Sequence, residues 1–537
     1  MSCFPLHKEK FVVSDHASDN TIVLEPTSRP PHADSLRVQD LGRTHFIGIG
    51  GAGMSVLAEI LHEQGVDVQG SDRELGPKAE RLQALGITVM IGQKAENVQG
   101  VDTVVWSSAI KPDNPEIVAA VAEGARLMHR SDVLALLMST SRAVTVAGAH
   151  GKTTTSAMIA HILVNAGTGD LADPSYAIGG SIQGPNGTLD GGHAGKGSVL
   201  VAEADESDGS FAKYHPEIAV ITNVEAEHLD HYGTAEHYRQ AFVDHSHHAT
   251  GHVVLCADDE GALAVLRAMS PEAASKAVAY STHTADEIGD INGASLVHID
   301  HEAEAAASDT VDAVESFVLH LPAGLGGTDS EAVDIPVGLR IPGIHNARNA
   351  AAAITAATLL GMDPRDAARA AGSFRGAARR FEIRGERAGV TVVDDYAHHP
   401  TEIAAMLDAA RRRFPESTVH VLFQPHLFSR TMFFASEFAH ALAKADDVIV
   451  TGIFPAREKQ ADYPQIGPQT VVDAAEGIAH EPATWIQAVP DMCQAAKMLV
   501  MRSKVGDVIF TVGAGDITNM AEVLLRVLEA RSSADAR

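Results

Sequence analysis

Three α/β units in series are what this sequence predicts, and three observations carry the prediction. At 537 residues the chain is too long for one hydrophobic core. Two strand, glycine-loop, helix patterns stand in its first third, and strand-then-loop patterns recur from residue 379 onward. Hydrophobic residues make up 45% and charged residues 21%, the balance of an ordinary folded protein, so each unit has apolar side chains for its own core.

Residues 1–40, with Arg29-Pro30-Pro31 among scattered Asp and Ser, read as a disordered tail. The first unit is expected over residues 41–140. Its opening strand, His45 to Ile49, runs into a loop holding Gly50, Gly51, Ala52 and Gly53 and then an amphipathic helix through Gln64. A glycine turn at a helix start presents backbone amides to phosphate. Strand-like runs at Val66 to Gly70, Thr88 to Ile91 and Thr103 to Ser107 alternate with helices, the order of a Rossmann-like domain. Asp72, nineteen residues after Gly53, also fits a dinucleotide fingerprint in which the acid holds a ribose, so an NAD-dependent oxidoreductase stands as one alternative.

The second unit, residues 141–378, opens with a strand, Ala143 to Ala147, followed by Gly148-Ala149-His150-Gly151-Lys152-Thr153-Thr154-Thr155 and a helix to Ala166. Glycines after a buried strand let amides approach phosphate oxygens, an ammonium at Lys152 reaches the β and γ phosphates, and the Thr153 hydroxyl suits Mg2+. The spacing is GxxGKT and not the general GxxxxGK[ST], so the context of strand and helix carries the P-loop reading. Such a loop needs acids on neighbouring strands to hold metal. The run Ser198 to Ala202 ends in Glu203-Ala204-Asp205-Glu206-Ser207-Asp208, and the run Glu217 to Thr222 leads to His228. Residues 281–340 read as an inserted or appended antiparallel subdomain around an acidic loop, and His345 to Leu360 as an Ala-rich helix. The histidines His245, His247, His248 and His252 read as a solvated helix face, since no Cys or clustered acid completes a metal shell.

The third unit, residues 379–537, is a second Rossmann-like α/β domain with strands expected at Val390 to Asp395, Thr418 to Pro425, Asp447 to Phe454 and Val508 to Gly515. Its functional residues belong at the strand carboxyl ends.

A formal charge of −29 repels nucleic-acid phosphates and anionic lipid, which excludes bulk nucleic-acid binding. The cysteines Cys3, Cys256 and Cys493 form no CxxC pair, so neither a disulfide framework nor a zinc site is indicated. No apolar run is long enough for a signal peptide or a membrane span, and a cytoplasmic protein, monomer or homodimer, is expected.

The segments GIGGAGM, AGAHGKTTT, EADESDGSF, TNVEAEHLDHYG, HNARNAAAA, RRF, DDYAHHPTE, FQPHLFSRT and TVGAGDI follow one another between Phe46 and Ile517. In that order they resemble the Mur ligases of peptidoglycan synthesis. The resemblance implies an ATP- and Mg2+-dependent enzyme that activates a carboxylate as an acyl phosphate and joins it to an amine. It places the ATP phosphates on Gly148, Ala149, His150, Gly151, Lys152, Thr153 and Thr154, and metal on Thr153, Glu203 and His228. It places adenine at His345, Asn346 and Asn349, the γ-phosphate at Arg380 and the ribose at Asp395. Tyr396, His398, His426 and Arg430 are similar to residues lining an amino-acid pocket, with His398 or His426 available as a base, and Gly50, Gly51, Ala52, Gly53, Asp72, Ser107 and Ser108 would hold a UDP-sugar.

Three departures matter. Ala149 stands where the family usually has Thr, and Leu427 where many relatives have Arg. No lysine stands near Phe242, where relatives adding later amino acids often carry a carbamylated one. That last departure favours the alanine-adding branch, with UDP-N-acetylmuramate and L-alanine as substrates. A sister ligase attaching a preformed peptide and a non-catalytic nucleotide-binding scaffold are the remaining alternatives; the scaffold is disfavoured because Lys152, Glu203 and His228 are all present.

Overall fold

The computed structural model describes residues 22–28, 35–185, 187–301, 312–325, 331–456, 458–478 and 484–535. Three large sheets organise them, beside a two-stranded hairpin of Ile182–Gly184 and Gly187–Leu189. The first has five parallel strands in the order Thr88–Ile91, Val68–Asp72, Thr44–Ile47, Thr103–Trp106, Arg126–His129. The order reverses beside Thr44–Ile47, the switch point where a doubly wound sheet opens its ligand crevice, and the glycine loop leaves that strand to start the helix Ala52–Glu63.

The central sheet has ten strands. Arg142–Ala147 lies between Val199–Glu203 and Ile218–Ile221, all parallel, with Thr145 level with Ala202 on one side and Ala219 on the other. These strands are almost wholly buried, as their β-branched and small apolar runs require. Their adjacent carboxyl ends therefore deliver the P-loop, the acidic run and the segment Thr222 to His228 to one edge. The helix Ile344–Leu359 buries Ala350, Ala351, Ala352 and Ala353 completely, and these small side chains let it lie close to the P-loop helix Lys152–Ala166.

In the third sheet an antiparallel edge strand, Glu382–Arg387, precedes five parallel strands in the order Val390–Asp395, Val508–Val512, Val419–Phe423, Asp447–Val450, Ile486–Ala488. Among the described residues no helix is long and apolar enough to cross a membrane.

The structure departs from the sequence-based expectation in three places. The stretch 281–340 is no separate subdomain: Ser295–Asp300 pairs parallel with Ala277–Ser281, and Glu315–Leu321 and Val333–Leu339 extend the same sheet antiparallel. The acidic loop itself, residues 302–311, lies outside the described residues. Of the expected tail, residues 1–21 and 29–34 also lie outside them, while Ile22 and Leu24 pack against the first unit's core and the turn Val38–Leu41 buries Val38 and Leu41. The histidine face is not solvated throughout. His245 is fully buried against the Phe211 ring at 4.9 Å, with its Nε2 3.3 Å from Thr145 Oγ1, because the helix Ala235–His248 turns that residue toward the sheet.

Candidate active site

Two glycines give the P-loop its shape. Gly148 has φ 132°, and a Cβ there would stand 2.3 Å from Thr222 Oγ1 and 2.8 Å from the Asn223 carbonyl; Gly151, at φ 84°, caps the helix Lys152–Ala166. The neighbouring strand end fixes the rest. Asn223 accepts from the His150 amide through Oδ1 (2.9 Å) and donates Nδ2 to the His150 carbonyl (2.8 Å), which also accepts from Thr222 Oγ1 (2.5 Å).

Lys152 folds back over this loop, donating to the Gly148 carbonyl (2.5 Å) and lying 3.0 Å from Glu206 Oε2. Burial acts against its charge, but Glu206, Asp205 and Glu203 outweigh burial and hold the ammonium above its ordinary pKa. Glu206 shows the reverse balance. Burial and the adjacent Asp205 push its carboxyl up to about 7, against the pull of Lys152.

The implied metal ligands fall into two groups. Thr153 lies close enough to Glu203 to favour its ionised form, and Glu203 Oε1 accepts from the Gly179 amide (2.8 Å). His228 instead gathers with Glu206 and Glu227, each offering an atom within 4.8 Å of the others. Its Nε2 is 3.6 Å from Glu227 Oε2 and 4.0 Å from Glu206 Oε1, and Lys152 lies in the electrostatic reach of both Glu203 and His228. A carboxylate kept partly protonated by burial beside a second acid is a donor that a divalent cation would ionise, so this donor set fits Mg2+. His228 sits at φ 53°, an uncommon conformation for a residue other than glycine, and that turn aims it back at the acids. His150, Glu227 and His399 also converge within 4.8 Å. There His150 lies 3.1 Å from Glu225 and 3.3 Å from Glu402, which overcome burial and raise its pKa to about 10, and a protonated imidazole opposes a metal ion.

A cavity of about 260 Å3 runs from the P-loop residues His150, Gly151 and Thr154 to the third unit. Its walls bring together His345, Asn346, Asn349, Arg380 and Asp395, the residues that the family resemblance implies for one nucleotide. Asn349 Oδ1 accepts from Thr155 Oγ1 (3.1 Å) and Asn346 Nδ2 donates to the Pro342 carbonyl (2.6 Å), which ties the Ala-rich helix to the P-loop helix and to its own entry turn. Burial pushes His345 down to about 4, so it faces the cavity uncharged. Burial pushes Asp395 up to about 6 against the opposing Arg380, while its oxygens accept from the Phe381 and Ala397 amides.

Beyond Arg380 lies the expected amino-acid pocket. Arg379 and Arg380 stand over the Tyr396 ring, 4.8 and 5.2 Å from its centre. Tyr396, His398 and His426 form a chain of ring contacts at 5.3 and 5.8 Å, and Arg430 comes within 3.8 Å of Glu227. In the first unit Gly50 donates its amide to Asp72 Oδ2 (2.8 Å), so Asp72 shapes the glycine loop. Ser107 closes a turn with Ile110, and Ser108 donates to Asp208 of the acidic run (2.6 Å).

Family models match in three consecutive blocks: "Mur ligase family, catalytic domain" over residues 43–142, "Mur ligase middle domain" over 146–357 and "Mur ligase, glutamate ligase domain" over 379–515. A UDP-N-acetylmuramate--L-alanine ligase of Bifidobacterium adolescentis is 68% identical over 95% of this chain and 97% of its own length. The chain belongs to the Mur ligase family. A similarly named ligase of Renibacterium salmoninarum is 43% identical over 92% of the chain and 97% of its own length. Among solved structures, the UDP-N-acetylmuramate-alanine ligase MurC of Thermotoga maritima is 29% identical, with a TM-score of 0.68 over 91% of this chain and 99% of that one.

As a Mur ligase the chain carries site groups that sequence reasoning passed over. Glu206 and Glu227 complete the His228 cluster, and both stood in the quoted motifs; nothing in spacing alone tells which acid of such a run turns inward. Arg130 donates to Asp205 (2.7 Å) and stands 3.5 Å from where a Gly53 Cβ would be, between the glycine loop and the acidic run. Its signal was the His129-Arg130 start of a helix after a short strand, which no periodicity marks. Glu402 contacts His150, Arg380 and His398 and was legible only as the third residue of a capping box opened by His399 and Pro400. The Phe242 position is core, packed against Phe211 and Tyr238 at 5.2 and 5.1 Å, so it brings an apolar ring and no charge to this side of the cluster.

Proposed function

We propose that this Mur ligase joins L-alanine to the lactyl carboxylate of UDP-N-acetylmuramate in the cytoplasm, consuming ATP and releasing ADP and phosphate. The observation that carries the reading is Lys152, set against Glu206 and within electrostatic reach of Glu203 and His228, on a P-loop whose His150 and Gly151 line the same cavity as Arg380. Relatives bearing that ligase name at 68% and 43% identity support the choice of substrates.

A carboxylate approaching a γ-phosphate meets like charge, about 4 kcal/mol for each unit pair at 4 Å and an effective dielectric of 20. Lys152 and Arg380 supply two cations against that repulsion. Thr153 with Glu203, and Glu206, Glu227 and His228, are the residues that would hold magnesium, which neutralises phosphate charge when bound. The lactyl carboxylate takes the phosphoryl group and becomes an acyl phosphate, and the neutral amine of alanine then displaces phosphate. Gly50, Gly51, Ala52, Gly53, Ser107 and Ser108 hold the UDP diphosphate, with Asp72 fixing the loop. His345, Asn346, Asn349 and Asp395 hold the adenosine. His426 and Arg430 receive the amino acid, Tyr396 and His398 complete the pocket, and His398 takes the amine's proton.

The test is phosphate release with ATP, Mg2+ and UDP-N-acetylmuramate across L-alanine, glycine, L-serine and a tripeptide. L-Alanine is expected to give the highest kcat/KM. Turnover with the tripeptide alone would move the chain to the peptide-attaching branch, and equal phosphate release without any amine would remove the ligase reading.

A further inference from the structure

We propose that Glu402 is a positioning residue, a buried carboxylate of the third unit that sets the P-loop, Arg380 and His398 in register. The inference rests on the ligase reading above. Each Glu402 oxygen has its own task. Oε2 accepts from the His398 and His399 amides (2.9 and 3.3 Å), the reciprocal half of a helix cap, and lies 3.1 Å from His398 Nδ1. Oε1 is thereby aimed away from its helix, 3.3 Å from His150 Nδ1 and 3.4 Å from Arg380 Nη1.

His150 comes from the P-loop of the second unit, Arg380 from the start of the third, and His398 from the amino-acid pocket beside Glu402's own helix cap, so one carboxylate ties the P-loop to two parts of the third unit. Only a carboxylate does this, because both oxygens must accept. A glutamine amide would turn its NH2 against either the capping amides or the two cationic partners. The side chain is 8% exposed, so water cannot substitute.

The experiment compares wild type, Glu402→Gln, His150→Gln, their double variant and Thr401→Val in the ligation assay, with circular dichroism reporting folding. Thr401→Val removes a neighbouring inter-unit bond, Thr401 Oγ1 to Glu225 (3.0 Å), and leaves the carboxylate in place. Glu402→Gln is expected to lower kcat about 100-fold, the scale of an ångström-sized misplacement, with KM for UDP-N-acetylmuramate within about twofold. The double variant should fall little below the worse single variant, since both break one unit. The inference is overturned if Glu402→Gln keeps kcat within about threefold, if the two single effects multiply, or if Thr401→Val loses as much. Should Glu402→Gln not fold, Glu402→Asp is read instead: a shortened but charged side chain is expected to drop kcat about tenfold with the same KM, and unchanged kcat overturns the inference. A wild-type chain that does not ligate would sink the ligase reading itself, which these variants do not address.

Discussion

Lys152 makes its contacts through one nitrogen, two of them to the carbonyls of Gly148 and Ala149 and one to Glu206, so a phosphate arriving at the loop exchanges backbone partners for anionic oxygens. Lys152→Ala is expected to lower turnover about 100- to 1,000-fold, the usual effect of removing one donor aimed at developing charge, while circular dichroism stays unchanged; near-normal turnover would discard the P-loop assignment. Two other buried residues contribute to the response to acid, alongside His345 and His129, which burial likewise pushes down to about 4 and about 3. His161 is fully buried with Nε2 2.8 Å from Ser373 Oγ, and burial takes its pKa down to about 4. His245 is pushed down to about 3 by burial and the neighbouring His248. Both are neutral when folded and gain a proton on unfolding at acid pH, so their contribution is intact above about pH 6.5 and is lost as pH falls toward 4 and then 3. At pH 5 each costs about 2 kcal/mol relative to pH 8. Urea midpoints at the two pH values should show that loss, and His245→Leu should reduce the pH dependence by about 2 kcal/mol even though it lowers stability at both; an undiminished dependence would place the acid sensitivity elsewhere.

Loops leaving parallel strands are where sequence and structure agree most closely, because the same glycines that mark a turn in the sequence are the ones the turn cannot replace. Gly148→Ala combines backbone strain of about 1–3 kcal/mol with a Cβ driven into Thr222 and Asn223, the groups that hold His150. It should weaken ATP binding at least about tenfold by calorimetry. Gly86 provides the comparison: its φ of 94° carries similar strain, yet a Cβ there meets open space, so Gly86→Ala should leave ATP affinity unchanged. Equal losses in the two variants would mean that strain, and not the Thr222 contact, matters at Gly148. The P-loop, the Ala-rich helix and the buried runs of the second and third sheets were legible because length and composition mark them. Short polar strands such as Arg126–His129, Ser175–Ala177 and Gly192–His193 were not, since two to four residues carry no period, and it is their partners in the sheet that make them strands. The inward turn of His245 was missed for the same reason. A helix rich in histidine reads as polar until its neighbours Phe211 and Thr145 decide which side is buried.

Motif order foretold three units but not how they meet, because the groups that join them are single charges distant in sequence. Arg130 reaches Asp205, Ser108 reaches Asp208, Arg412 reaches Glu315, and Lys213 donates to Asp132 at 2.5 Å with both side chains under 8% exposed. The last pair joins the helix Arg130–Met138 of the first unit to the turn Ser210–Lys213 that ends the acidic run. Asp132 also accepts from the His129 amide (2.8 Å), so the same carboxylate caps the helix that carries Arg130 toward the glycine loop. Breaking one side of a buried pair leaves an uncompensated charge and costs about 3–5 kcal/mol, whereas neutralising both sides restores much of the loss. Lys213→Met should therefore destabilise the junction by that amount and raise KM for UDP-N-acetylmuramate, because the helix start beside Gly53 loses its anchor while the nucleotide cavity and the third unit keep theirs. Adding Asp132→Asn, which still accepts from the His129 amide, should recover at least half of the stability in urea titrations and bring KM back toward wild type. If the double variant is less stable than Lys213→Met alone, the two residues act separately, and the alignment of the sugar-nucleotide crevice with the acidic run depends on Arg130 and Ser108 instead.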